Sequence, residues 1–106
     1  LACARAAQGS FDRLAADARA ADAVTTDGAS LALRSGERVV TWRLRDGGLV
    51  REAPEGVLAM ADQVAAFTIS RDGRRLDVRL DFAGRRGAWR VDASHATTIA
   101  LPRAVP

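Results

Sequence analysis

Hydrophobic residues in the first 24 positions recur in steps of three and four, and polar residues fill the gaps between them. The hydrophobic positions are Phe11, Leu14, Ala18, Ala21 and Val24. This spacing places them on one face of an α-helix, so the sequence predicts an amphipathic helix over residues 1–24. After residue 24 the period changes to two, which is typical of β-strands.

The polar side of the predicted helix is charged. It carries Asp12, Arg13, Asp17, Arg19 and Asp22. Arg13 and Asp17 are four residues apart and can form an ion pair along the helix. The start of the helix has two interpretations: Ser10 caps it after a separate turn at residues 2–9, or one continuous helix passes through Gly9.

A first β-meander is predicted over residues 29–52. Leu31 and Leu33 alternate with polar neighbours, and a second strand alternates hydrophobic residues with arginines on its outer face. The hydrophobic positions of that second strand are Val40, Trp42 and Leu44. Asp46-Gly47-Gly48 supplies a hairpin turn, and residues 53–56 predict a passage to a second β region.

The second β region is predicted over residues 57–101. A strand over Val64–Ser70 places Ala65, Phe67 and Ile69 on one side, and Asp72-Gly73 indicates a hairpin of type I′. The next strand alternates most regularly, with Leu76, Val78, Leu80 and Phe82 on one face. Further strands are predicted around Trp89 and over Thr97–Leu101, with a turn at residues 84–87.

These elements predict one α+β domain over residues 1–106, in which an N-terminal amphipathic helix packs on an antiparallel β-sheet built from hairpins and meanders. The length of 106 residues suits a single domain. Trp42 and Trp89 lie on the hydrophobic phase of their strands, so both are predicted core residues.

Charge and composition leave the partner open. All 16 basic residues are arginine and the net charge is +3, which permits an anionic partner without requiring one. Cys3 is the only cysteine, so no disulfide can form within the chain.

The residue types needed for common enzyme chemistry are scarce. His95 is the only histidine, so the sequence cannot form a metal site of several histidines. Ser94 and His95 are neighbours, and adjacent residues in a strand point to opposite sides, away from a nucleophile–base geometry. His95 is predicted in a polar loop, and Asp77, Asp81 and Asp92 in cross-strand ion pairs with arginines. We expect no enzyme, cofactor, metal site or small-molecule substrate.

Paired arginines at two predicted turns are the one site-like feature. They are Arg74 and Arg75 at one end of a predicted strand, and Arg85 and Arg86 at the other. They form either solvated turns or contacts to an anionic partner such as a phosphate backbone. Strand geometry places the two turns roughly 30 Å apart, so they do not form one patch.

Several segments between Phe11 and Phe82 together resemble type IV pilin-like proteins, which include minor pilins and type II secretion pseudopilins. The helical segment Phe11–Val24 resembles the latter part of the long N-terminal helix of this family. The strand segments that carry the resemblance are Leu31-Ala32-Leu33, Val39–Leu44, Gly48–Arg51 and Val64–Phe67.

The resemblance implies the soluble domain of an assembly subunit whose partners are other pilin-like subunits. It also implies an apolar N-terminal half of the helix, absent from this sequence, that anchors the subunit in the inner membrane before assembly. The location would then be periplasmic or at the cell surface. Two alternatives stay open: a minor pilin that binds DNA, with Gly84-Arg85-Arg86 as the nearest candidate contact, and an unrelated extracytoplasmic binding domain.

Overall fold

A computed structural model describes residues 2–86 and 89–102, with side chains described for residues 4–84 and 93–102. It contains one helix, α1, at Ala2–Ala20. Eight strands follow in chain order: β1 Ala23–Thr26, β2 Ser30–Ser35, β3 Arg38–Arg45, β4 Gly48–Ala53, β5 Gly56–Ala61, β6 Val64–Asp72, β7 Arg75–Arg86 and β8 Trp89–Ala100. Among the described residues, no helix is long and apolar enough to cross a membrane.

The helix is continuous through Gly9 and ends four residues before the predicted boundary. Ala23–Thr26 form strand β1 instead, so the prediction of helix up to Val24 was wrong. The Asp22 N–H donates to the Arg34 carbonyl at 2.7 Å, which starts the pairing of β1 with β2. Three consecutive β-branched residues, Val24, Thr25 and Thr26, favour this extended backbone over another helical turn.

Strands β1 to β5 form an antiparallel sheet in chain order. Within it, Asp46 and Gly47 both have positive φ, 52° and 77°, as a type I′ turn between β3 and β4 requires. Residues 53–56 were predicted to lead to a second β region, but they turn β4 back onto β5 in the same sheet. The passage to the other sheet comes later, between Ala61 and Val64.

Strands β6, β7 and β8 form a second, three-stranded antiparallel sheet with β7 at its centre. A register shift between Val64 and Ala66 leaves Ala65 exposed, so Ala65 does not share the buried side of Phe67 and Ile69 as predicted. The two last predicted strands are one strand, β8, and β7 continues through Gly84 to Arg86. The predicted turn at residues 84–87 therefore starts too early, and its last residue, Gly87, lies outside the described residues, as does the Trp89 side chain.

The hairpin between β6 and β7 also differs from its predicted turn type. Asp72 pairs with Arg75, so the two loop residues are Gly73 and Arg74. Gly73 has a φ of 59°, and a positive φ at the first central position is the pattern of a type II′ turn. The predicted type I′ turn would have required positive φ at both loop positions.

The helix packs on both sheets: it contacts β5 and β2 in the five-stranded sheet and β8 in the three-stranded sheet. The core lies between these three layers. Its fully buried large side chains are Trp42, Leu14, Leu31, Leu49, Leu76, Leu80 and Leu101. These observations confirm the predicted α+β class with an N-terminal helix and antiparallel sheet.

Candidate functional site

The arginines predicted at the β6–β7 turn are engaged within the chain. Arg74 donates from its Nε and Nη2 atoms to the Leu101 carbonyl, at 3.4 and 3.3 Å. Arg75 is 57% exposed and lies 3.2 Å from the Asp77 carboxylate and 3.7 Å from that of Asp72. Each arginine therefore has an internal partner that an external anion would have to displace or share.

The second arginine pair is at the far end of the same strand. Arg75 and Arg86 are the first and last residues of β7, which makes them roughly 35 Å apart at the rise of an extended strand. The structure thus does not bring the two pairs together. The side chains of Arg85 and Arg86 lie outside the described residues.

His95 lies in strand β8 rather than in the predicted loop. Its ring meets the ring of Phe82 edge to face, with centroids 5.8 Å apart and planes at 81°. Ser94 points to the other side of the sheet, where its hydroxyl donates to Asp81 at 2.7 Å. The prediction that Ser94 and His95 point apart is confirmed, and the two cannot act as a nucleophile–base pair in this arrangement.

The carboxylates on the outer face of the three-stranded sheet were expected to form cross-strand ion pairs. Their arginine partners instead lie two residues away on the same strand, in the pairs Arg75–Asp77 and Arg79–Asp81. The register explains this difference. Hydroxyl residues stand opposite both carboxylates in β8, and Thr98 donates to Asp77 at 2.8 Å. The side chain of Asp92 is outside the described residues.

The outer face of the five-stranded sheet bears arginines, as predicted. Arg43 lies 2.6 Å from Glu52, and Arg45 lies 3.9 Å from the same carboxylate. At the edge near the helix end, Arg34 lies 3.7 Å from Asp22. These exposed charges are therefore arranged in local pairs of opposite sign.

Sequence reasoning missed a buried ion pair between the helix and the five-stranded sheet. Arg51 is only 4% exposed, and its Nε and Nη2 atoms donate to the two carboxylate oxygens of Asp17 at 2.7 and 2.9 Å. The indole N–H of Trp42 donates to the same carboxylate at 2.9 Å. The Asp17 carboxylate raises the pKa of the Arg51 guanidinium above its usual value. We call these three residues the Asp17 cluster.

The Asp17 cluster continues to the surface through a second carboxylate. Glu55 lies 3.7 Å from Arg51, and Arg38 binds Glu55 through two hydrogen bonds. These hydrogen bonds from Arg38 lower the pKa of Glu55 to about 2. Four charged side chains of alternating sign thus run from the helix to the edge of the β4–β5 turn.

One signal in the sequence could have revealed the cluster. Leu49 and Arg51 are two residues apart in a strand, so they share a face, and Leu49 is hydrophobic. An arginine at a position whose side chain faces the core requires an acidic partner, because an unpaired charge is costly to bury. The helix residue Asp17 is 34 positions away, which is why no local pattern identifies it.

A cleft with a volume of about 770 Å³ opens between the start of the helix, the β3–β4 turn and the β5–β6 turn. Its polar lining comes from Asp46, Asp62 and Gln63, and Phe82 contributes to its apolar side. Gln63 has a φ of 56° and its amide covers Gly84, where an added Cβ would lie 2.6 Å from Oε1. Within the described residues, no three His, Cys, Asp or Glu side chains are placed to share a metal ion.

Comparisons with known proteins identified no relative of this chain. No family model, curated protein or solved structure matches this chain.

Proposed function

We propose that this chain is the soluble domain of a pilin-like assembly subunit, either a minor pilin of a type IV pilus or a pseudopilin of a type II secretion filament. In such a subunit the N-terminal helix connects the domain to the filament core. The sheets then face outward and contact neighbouring subunits.

The observation that carries the proposal is the way the helix is held. Phe11, Leu14 and Ala18 are 9%, 1% and 0% exposed, so the apolar stripe of the helix is covered by the sheets. The Asp17 cluster adds three hydrogen bonds between the helix and strands β3 and β4. A helix held this firmly suits a subunit in which it transmits the position of a filament core to the outer domain.

The surface charges support an assembly role. Local pairs such as Arg43–Glu52 and Arg79–Asp81 present both signs close together on each outer sheet face. Complementary charges of this kind set the register and choice of a protein partner more than they add affinity. A DNA-binding minor pilin is the second candidate. Arg74 and Arg75 already contact groups within the chain, and the side chains of Arg85 and Arg86, its nearest candidate contacts, lie outside the described residues.

The proposal includes a location and an anchor. An apolar helix half upstream of Leu1 would tether the subunit to the inner membrane before assembly. The domain itself would then lie in the periplasm or at the cell surface, with other pilin-like subunits as its partners.

The first experiment is to read the encoding gene upstream of Leu1. We expect a short basic leader, a glycine cleavage site and about 20 apolar residues that run into Ala2, since that length of helix crosses a bilayer. A cleavable secretory signal, or a start codon directly before Leu1, would overturn the filament role. Either of those results would favour a free-standing binding domain.

A further inference from the structure

Three aspartates in this chain are followed directly by glycine: Asp27, Asp46 and Asp72. At such a step the backbone nitrogen easily attacks the preceding side chain, because glycine has no Cβ to obstruct the approach. The attack needs a carboxyl group that is free to swing towards the nitrogen, and an N–H that no acceptor holds. The fold gives the three steps different contacts, so it decides which of them reacts.

The step at Asp27 is held at both reacting groups. Its Oδ1 atom accepts hydrogen bonds from the backbone N–H groups of Ala29 and Ser30, at 2.9 and 2.8 Å, and from the Ser30 hydroxyl at 3.1 Å. The Gly28 N–H donates to the Thr26 hydroxyl at 3.1 Å. The hydrogen bonds from Ala29 and Ser30 also lower the pKa of Asp27, which keeps its carboxyl in the unreactive ionised form.

The step at Asp46 is held by its backbone. Asp46 is the first central residue of the type I′ turn between β3 and β4, a position with a ψ of about +30°. At this ψ the Gly47 nitrogen lies almost opposite the Asp46 Cβ across the Cα–C bond, so the side chain cannot reach it without turning the peptide over. The Gly47 carbonyl accepts the Val64 N–H at 3.0 Å, which anchors the turn in this conformation.

The step at Asp72 has neither protection. Asp72 ends strand β6, and its extended backbone places the Gly73 nitrogen nearer to the side chain than the type I′ turn does at Asp46. The Gly73 N–H has no acceptor among the described residues. Arg71 donates to the Gly73 carbonyl, at 2.9 Å, which leaves the N–H free.

The ion pair of Asp72 does not immobilise its carboxyl. Arg75 lies 3.7 Å away, and the two side chains are 57% and 84% exposed. Arg75 also makes a shorter contact, at 3.2 Å, with Asp77. An exposed pair contributes at most about 1 kcal/mol, so the Asp72 carboxyl remains free to rotate.

We propose that Asp72 is a site of spontaneous modification, which isomerises to isoaspartate far faster than Asp27 and Asp46 in the folded chain. The Gly73 nitrogen forms a bond to Cγ of the protonated Asp72 carboxyl, and the carboxyl hydroxyl leaves with the amide proton as water. The product is a five-membered succinimide ring. The inference is independent of the proposed assembly role.

Hydrolysis of the ring completes the reaction. When water cleaves the new Cγ–N bond, aspartate is restored. When water cleaves the original peptide bond, the chain stays joined through Cγ and the residue is isoaspartate. One water leaves and one returns, so the mass is unchanged and no oxidant, reductant or cofactor takes part.

The isomer lengthens the backbone by one methylene group inside a two-residue hairpin. Asp72 pairs with Arg75 across this turn, and Arg74 lies between them. The Leu101 N–H donates to the Arg74 carbonyl at 2.7 Å, and the Arg74 guanidinium donates to the Leu101 carbonyl. An added methylene shifts Arg74 relative to Leu101, so we expect the modified turn to lose its hold on the end of the last strand.

Incubation of the folded chain at physiological temperature and mildly acidic pH tests the inference. Cleavage after Glu37, Glu52 and Glu55 puts each Asp-Gly step in a different fragment: residues 1–37, 38–52 and 56–106. Chromatography with electron-transfer mass spectrometry identifies isoaspartate in each fragment. We expect it to accumulate in fragment 56–106 at least about tenfold faster than in the other two, because their steps must first break hydrogen bonds that hold the turn.

Two controls separate the effect of the fold from that of the sequence. In urea the protecting contacts are absent, so the three fragments should form isoaspartate at similar rates. Asp72→Glu keeps a carboxylate near Arg75 but cannot close a five-membered ring, so isoaspartate in fragment 56–106 should disappear. Asp46→Glu is the matched variant and should leave that fragment unchanged.

The rates in the folded chain decide the inference. If fragment 56–106 forms isoaspartate no faster than the other two, or forms none, the inference is overturned. Amide hydrogen exchange of Leu101 measures the consequence: it should be faster in the isomerised chain, and unchanged exchange would contradict the expected loss of that contact. None of these results depends on the gene sequence upstream of Leu1, so the inference and the proposed function fail separately.

Discussion

The Asp17 cluster and the Arg79–Asp81 pair use the same chemistry in two different surroundings. Arg51 and Asp17 have side chains 5% and 10% exposed, whereas Arg79 is 60% exposed and Asp81 is 32% exposed. Water competes for the outer pair and has little access to the inner one. The comparison indicates that burial, rather than the number of ion pairs, decides which arginine the fold depends on.

The two regions also differ in what they connect. The outer pair joins two residues of the same strand, so loss of the Arg79 side chain leaves the hydrogen bond from Ser94 of β8 to Asp81 in place. The Asp17 cluster joins α1 to β3 and β4, so it determines how the helix sits on the sheet. We therefore expect substitutions in the two regions to differ strongly in their effect on folding.

The largest expected effect is that of Arg51→Ala. It leaves the Asp17 carboxylate with the Trp42 indole as its hydrogen-bond donor and with Arg13, 3.9 Å away as predicted from their spacing, as its remaining cation. Removal of one partner of a buried pair costs about 3–5 kcal/mol. Urea unfolding measures this loss of free energy of unfolding. The double variant Arg51→Met with Asp17→Leu is the control and should recover part of it, because neither charge remains, although the buried Trp42 indole N–H then loses its acceptor. A loss below about 1 kcal/mol in the single variant would show that the cluster does not hold the helix.

The next effect concerns Glu55, which lies between the buried and the exposed charges. Its folded-state pKa of about 2 is below the ordinary value of 4.5, so its stabilising contribution is complete above pH 4.5 and is lost as the pH falls towards 2. An NMR titration of the carboxyl carbon measures the pKa directly. In Arg38→Gln we expect the pKa to return towards 4.5, while Arg43→Gln leaves it unchanged. A Glu55 that titrates near 4.5 in the unmodified chain contradicts the assignment.

Ser10→Ala is expected to change the free energy of unfolding by a smaller amount and in the opposite direction. The Ser10 side chain is buried and its hydroxyl has no hydrogen-bond partner among the described residues, whereas the buried Arg51 donates to Asp17 from both Nε and Nη2. Ser10→Ala should raise the free energy of unfolding by about 0.5–1 kcal/mol, because it removes an unpaired polar group and improves helix propensity. Thermal unfolding measures the change. The control variant Ser94→Ala removes a hydroxyl that is hydrogen-bonded to Asp81, so it should not raise the free energy of unfolding. A Ser10→Ala variant that is less stable than the unmodified chain would contradict the prediction.

The smallest effect is expected for Arg79→Ala on the outer sheet. An exposed ion pair contributes at most about 1 kcal/mol, and added salt screens it further. Chemical unfolding at low and high salt measures both the size and the screening. If Arg79→Ala were as destabilising as Arg51→Ala, burial would not be the property that separates the two regions.

Much of the fold could be predicted because its signals are local. The alternation of Leu76, Val78, Leu80 and Phe82 identified a buried strand face, and all four are at most 3% exposed. The helical stripe was also correct as far as Ala18. Val24 fits the same spacing, but pairing with Leu33 places it in a strand. Tertiary contacts overrode the periodicity at that boundary.

The candidate site was less predictable. The sequence singled out arginines in turns, because adjacent arginines are conspicuous, yet Arg74 and Arg75 contact groups within the chain. Arg51 stands alone in the sequence and gave no comparable signal beyond its phase in the strand. Its importance depends on Asp17, and nothing in a local pattern specifies a partner 34 residues away.

By itself, the sequence determined the periods of the helix and strands, the faces that carry hydrophobic residues and most of the turns. These follow from the backbone geometry of neighbouring residues. Only the tertiary structure decided that β5 joins the first sheet, that Asp17 and Arg51 are buried together, and that the helix contacts both β5 and β8. Those features depend on which distant segments meet, because burial and strand pairing are properties of contacts rather than of spacing along the chain.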